Sequence, residues 1–353
     1  VDEKGNAIPG VAEITEQGGS ETPLTKEAEV KAKIAELEDK GYELVSNTYP
    51  EGGKFDKDTD TDQEFKVTLK QKEVTVTPTN PKSAGTPVNP DKQNGPKYPA
   101  GVSESDLNKT VTRTITYVKA DGTPVLDENN KPLVVTQEAK FTREAKVNLV
   151  TGGVTYGDWS EAKDLPEVKS PVVTGFLADK ATVPTVNVTG ESKDTTEVVT
   201  YKPIGSWIPN IPGQPTNPIK YPNNSDDPTK PGKPTETLPY VPGYTSKDGN
   251  NQPLKPVDPT DPTKGYEVPS IPTDPSQDTQ INYVKDTQKA KTTFVDEKGN
   301  PIPGVEAITE EGDSDTPLTK EAEVKAKIKE LENKGYELVS NTYPEGGKFD
   351  KDK

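Results

Sequence analysis

The end of this 353-residue chain repeats its beginning. VDEKGNAIPG opens at Val1 and VDEKGNPIPG returns at Val295, an offset of 295 − 1 = 294, and 50 of the 59 aligned residues are identical. A copy this long and close marks a tandem array, which confines the chain to small modules rather than one large core. The first copy runs on through Glu64, Phe65, Lys66, Val67, Thr68 and Leu69, whereas the second has a threonine-rich lead into Phe294 that the first lacks. Each copy is therefore expected to lack one end, and the chain to be a window on a longer repetitive protein.

Composition supports the modular reading. Hydrophobic residues make up 28%, against roughly 45–50% in ordinary globular domains with glycine counted. The 36 prolines crowd into residues 77–100 and 203–275, which predicts linkers or irregular loops there. A net charge of −16 argues against a nucleic-acid or anionic-membrane partner, and no stretch is apolar enough for direct membrane insertion. With no Cys, Met or His there are no disulfides or thiolate metal sites, and most nucleophile and general-base options are gone. No catalytic residues are predicted.

Hydrophobic spacing divides the chain further. In residues 1–76, Thr25 reads as an N-cap for a helix carrying Ala28, Val30, Ile34 and Leu37, and Gly41 as its stop after Lys40. Strand patterns follow at Tyr42, Leu44 and Tyr49 and at Phe65, Val67 and Leu69. With a leading strand restored, one helix on a small mixed sheet suggests a β-grasp, ubiquitin-like module. Residues 289–353 repeat it without its closing strand. Residues 108–202 open on Val111, Arg113, Ile115 and Tyr117 alternating with threonines, and predict a larger β-rich domain. Its later strands are expected at Leu133–Thr136, Val172–Gly175, Thr185–Val188 and Glu197–Tyr201. Residues 77–107 and 203–238 read as linkers, and 239–286 as a small proline-rich β module. Tyr117/Gly122, Tyr244/Gly249 and Phe294/Gly299 share a five-residue spacing that suggests a common hairpin. The predicted class is α+β to mainly β, with tandem modules strung like beads.

Two sets of residues are candidate sites. Asp56, Asp58, Asp60, Asp62 and Glu64 alternate as oxygen ligands for a structural Ca²⁺ would, although the usual loop glycine is missing and such runs are normally solvated turns. Trp159, Tyr156, Tyr221, Tyr240 and Tyr244 are candidates for stacking on a sugar face, set against the commoner fate of an aromatic in a small core. Trp207 is expected to pack at an interdomain junction.

Several segments resemble one family. NKTVTRTITYVKADG, DWSEAKDLPEVKSPVVTGF and VVTYKPIG in residues 108–205 resemble the larger domain of mucus-binding repeats from Gram-positive surface adhesins. The Gly41-Tyr42 and Gly335-Tyr336 modules resemble the family's shorter MucBP-type, β-grasp domain, and PYVPGYTSKDG with DPTKGYEVPSIP resemble the proline-rich part that follows the larger domain. The resemblance implies a cell-wall-anchored extracellular protein that binds host mucin glycans, with immunoglobulin a partner of some members. Weak contacts multiplied by neighbouring repeats are the expected mode. The alternative is a stalk that projects a distal adhesive domain.

Overall fold

The structure, a computed structural model, describes residues 1–352. It is mainly β, 32% strand against 9% helix, and it falls into two units. The first holds residues 1–115, 134–168 and 184–197; the second holds 116–133, 169–183 and 198 onward.

Both repeat copies carry the expected helix, at Glu27–Asp39 and Glu321–Asn333. In the first copy Val30, Ile34 and Leu37 are buried, and Leu37 packs with Ile8 and Leu69. The i, i+4, i+7 spacing places them on one face of the helix. Thr25 is not the cap. Lys26 occupies the N-cap position without a side-chain bond, its N–H donating to the Tyr49 hydroxyl at 3.2 Å, and Glu16 anchors the residue before it. Its Oε2 accepts from the Thr25 N–H at 2.7 Å and the Thr25 hydroxyl at 3.0 Å, while Oε1 accepts from the Tyr49 hydroxyl at 2.6 Å.

The second copy repeats the device. Glu310 accepts from the N–H groups of Thr319 at 2.6 Å and Lys320 at 3.1 Å and from the Tyr343 hydroxyl at 2.8 Å. A carboxylate here satisfies orphan N–H groups and faces the positive end of the helix dipole. Burial alone would raise the Glu310 carboxyl, but the bonds from Thr319, Tyr343 and Lys320 outweigh it and hold it below its ordinary value. Its stabilisation is therefore complete above the unfolded value near 4.5 and is lost as pH falls through the lowered folded value. Glu310→Gln is expected to cost about 1–2 kcal/mol at pH 7, and in urea titrations the gap to wild type should narrow between pH 7 and an acidic pH below the unfolded value. An equal gap at both pH values would count against the cap.

The copies differ where a strand partner differs. YELVSN stands at both Tyr42–Asn47 and 336–341. In the first copy it is a strand, antiparallel to Val67–Gln71 with Leu44 opposite Leu69. In the second it is not a strand, and Tyr336, Leu338 and Val339 are 47%, 48% and 76% exposed. Conversely, Ile308–Asp313 pairs with Thr287–Thr292, whereas the corresponding residues 14–19 have no such partner and are not a strand. Strand backbone groups need a ladder, so pairing decides the conformation of identical sequence.

Residues 77–107, expected as a linker, are folded into the first unit. Glu73–Val76 pairs with Ala145–Asn148, which pairs in turn with Val154–Tyr156. Val102 and Leu107 are fully buried with Val76, Ala145 and Val147. The Ser103–Asp106 capping box starts the short helix Glu104–Leu107. Gly41 combines a φ of +99° with a close approach, because a Cβ there would stand 2.8 Å from the Leu149 backbone.

Further along the first unit, Val111, Ala139, Phe141, Leu165 and Val188 form a core. Beside it Arg113 is only 3% exposed. In the second unit, the strand expected at Val172–Gly175 is a turn closed by the Phe176 N–H on the Val173 carbonyl, and the strand is instead Phe176–Ala178.

Residues 203–286 form one folded body rather than a linker and a separate module. Ser206–Asn210 lies parallel to Thr279–Lys285, with Ile219–Lys220 on its other side and Tyr244–Lys247 antiparallel to Thr279–Lys285. Ile204, Trp207, Tyr221, Leu238, Tyr266, Ile281 and Tyr283 make the core. Trp207 is fully buried, donates from Nε1 to the Pro269 carbonyl at 2.9 Å and meets Tyr221 edge-on at 4.6 Å. The proline-rich loops are held by a recurring Asp-Pro-Thr/Ser turn. Asp227, Asp258, Asp261 and Asp274 each accept from the N–H and the hydroxyl two residues on. Proline fixes φ while the aspartate closes the turn, so order here needs no secondary structure.

Candidate functional site

Two of the predicted aromatics are brought together, both in the first unit, by a residue the sequence reading passed over. Arg143 follows the strand Val134–Thr142, and its own N–H donates to the Leu107 carbonyl at 3.0 Å. Tyr156 ends the strand Val154–Tyr156, in register with Ala145. The next loop is tied to the arginine's neighbours: the Gly157 N–H donates to the Glu144 carbonyl at 3.0 Å and the Ser160 N–H to the Thr142 carbonyl at 2.8 Å. The Arg143 guanidinium carbon then lies 3.6 Å from the Tyr156 ring centroid and 4.4 Å from that of Trp159. A cation over aromatic faces is held electrostatically, and the planar guanidinium stacks where an ammonium would not.

The two aromatics differ in what they leave free. Trp159 packs on the Val111–Phe141 core and lies so close to Gly190 that a Cβ there would sit 2.2 Å from the indole. With Gly190 and Arg143 against it, Trp159 is mainly a packing residue. Tyr156 is 40% exposed. One face rests on the guanidinium, and the hydroxyl end lies close to Gly101, where a Cβ would stand 2.8 Å from it. Nε of Arg143 donates to the Asp106 carbonyl at 2.9 Å. The Asp106 carboxyl is held below its ordinary value first by hydrogen bonds from Ser103 and further by the charge of Arg143. The one sequence signal for Arg143 was rarity: Arg113 and Arg143 are the only arginines among 43 basic residues.

The remaining candidates lie elsewhere. Tyr221 is 2% exposed, and its hydroxyl is bonded to the Gln277 carbonyl at 3.0 Å and the Thr279 hydroxyl at 2.7 Å, so it serves the core of the second unit and has no free face. Tyr240 and Tyr244 are half-buried against that same core. Asp56, Asp58, Asp60, Asp62 and Glu64 are all exposed. The Asp56 carboxylate accepts from the Asp58 N–H at 3.1 Å, and that of Asp58 from the Asp60 N–H at 2.9 Å and the Thr61 hydroxyl. Asp56 and Asp58 thus close local turns with their own side chains, and among the described residues no three acidic groups converge to hold a metal ion. No helix among them is long and apolar enough to cross a membrane.

Residues 1–71 and 277–353 match the mucin binding domain family, and residues 102–205, which contain the Arg143 stack, match the Muc B2-like domain family. Among solved structures, the type 2 repeat of the mucus binding protein MUB from Lactobacillus reuteri is 24% identical, covering 57% of this chain and 95% of that one, with a TM-score of 0.35. The mucin-binding domain of Spr1345 from Streptococcus pneumoniae is 32% identical over 28% of this chain and 92% of its own, with a TM-score of 0.23. The MucBP domain of the adhesion protein from Pediococcus pentosaceus is 27% identical over 27% of this chain and 98% of its own, with a TM-score of 0.21. No curated protein matches the chain. With a Muc B2-like domain between two mucin binding domains, the chain belongs to the mucus-binding repeat family.

Proposed function

We propose that this chain is an adhesive repeat of an extracellular, cell-wall-anchored protein, and that it binds host mucin glycans through weak contacts multiplied along the array. One observation carries the reading: within the Muc B2-like region a 40% exposed tyrosine ring is held on a guanidinium. Such a rigid amphipathic face costs little conformational entropy to use. A shallow contact of this size gives weak affinity for one unit, and repetition raises retention by effective concentration.

The test is interferometry of the chain on purified mucin, as monomer and as multimer, before and after removal of the glycans. The monomer is expected to bind at about micromolar affinity or weaker, and the multimer to be retained on the order of a hundredfold more tightly. Both should be lost on the deglycosylated protein. Retention that survives deglycosylation would overturn the glycan reading in favour of protein recognition, immunoglobulin included. Absence of binding in both forms would leave the chain as a stalk.

A further inference from the structure

Arg143 lies in a shallow, open cleft whose walls include Thr142, Glu144, Asp158 and Ser160. Its Nε is taken by the Asp106 carbonyl, while its Nη groups make no hydrogen bond among the described residues. Glu144 and Asp158 are exposed, and their carboxylates likewise have no hydrogen-bond or ion-pair partner among them. The cleft is thus lined by a held guanidinium and two acceptor-only carboxylates, and the Tyr156 ring that rests on that guanidinium adjoins it. Its formal charge is +1 − 2 = −1, in a chain that carries −16 overall.

The chemistry of the walls selects among sugars. A sugar hydroxyl both donates and accepts, so neighbouring hydroxyls can give their protons to Glu144 or Asp158 while accepting from Arg143. A sugar carboxylate or sulfate only accepts. It would satisfy Arg143 and face two like charges with nothing to offer them. We infer that the cleft takes a neutral hexose or N-acetylhexosamine residue rather than an acidic sugar, with hydroxyls shared between Arg143 and the carboxylates of Glu144 and Asp158. This rests on the mucin-glycan reading and narrows it.

The sign of a charge-removing substitution decides the matter. The full chain and its Asp158→Asn and Glu144→Gln variants are compared on native mucin and on mucin treated with sialidase. Both side chains are exposed, and circular dichroism checks that the fold is kept. The expected result is undiminished retention after sialidase and a loss of about tenfold in each variant, because a charge-assisted bond to a hydroxyl is gone. Loss of retention after sialidase, with both variants binding native mucin more tightly, would overturn the inference and leave the mucin reading standing. Failure of every form to bind native mucin would overturn both.

Discussion

Arg113→Met is expected to destabilise the first unit by about 4 kcal/mol, a large share of the roughly 5–15 kcal/mol that holds a domain. Arg113 is 3% exposed and meets no carboxylate among the described residues. Its charge is compensated by neutral oxygens. Nε and Nη2 donate to Gln137 Oε1 at 2.8 and 2.5 Å, Nη1 to the Pro184 carbonyl at 2.7 Å, and Nη2 to the carbonyls of Pro166 at 2.7 Å and Leu165 at 3.3 Å. One side chain thus ties the strand Asn108–Lys119 to Val134–Thr142 and to two proline-flanked segments. Removing it orphans several buried acceptors at once, each worth about 1–3 kcal/mol.

A lysine keeps the charge but offers one nitrogen in place of a planar fork, so Arg113→Lys should recover only part of the loss. Urea denaturation followed by Trp159 fluorescence measures the effect, with Trp207 replaced by Phe to isolate the signal. Trp159 packs on the core beside Arg113. A shift equivalent to less than about 1 kcal/mol would mean that the carbonyls find other donors.

What the sequence made legible was local. The helix at Glu27–Asp39 and its copy follow from i, i+4, i+7 spacing, and Gly41 ends the first as expected. The alternation at Val111, Arg113, Ile115 and Tyr117 marked a real strand. What failed was non-local. The core of residues 203–286 is assembled from Trp207, Tyr221, Tyr266 and Tyr283, too widely spaced for a periodic pattern, and its central pairing sets Trp207 opposite Thr279. Counting prolines hid it. The shared hairpin is present at all three places, closed by Val118 with Pro124, Lys247 with Pro253 and Val295 with Pro301, but at Tyr244/Gly249 the left-handed residue is Asn251 rather than the glycine. YELVSN marks the limit most sharply, because the same six residues are strand or not according to the partner present.

The candidate site was half legible for the same reason. Tyr156 and Trp159 stand close together in the sequence and suggested sugar contact, but nothing local pairs them with Arg143, 156 − 143 = 13 residues before Tyr156. That pairing arises from the register of Ala145 with Tyr156. It also separates the roles of the two aromatics, one packed and one exposed.

If the exposed ring on Arg143 is the contact, Tyr156→Ala should reduce retention on mucin by tenfold or more, the scale of a truncated tyrosine anchor at an interface, about 1.4–2 kcal/mol. Folding should be little changed, since Tyr156 is 40% exposed and lies at a strand end. Tyr156→Phe keeps the ring and should bind nearly as wild type. The decisive measurement is therefore retention of wild type, Tyr156→Phe and Tyr156→Ala on one mucin surface, with melting curves alongside. Loss in the alanine variant alone, at unchanged melting temperature, is the expected result. Equal retention by all three would contradict a binding site at Arg143 and Tyr156.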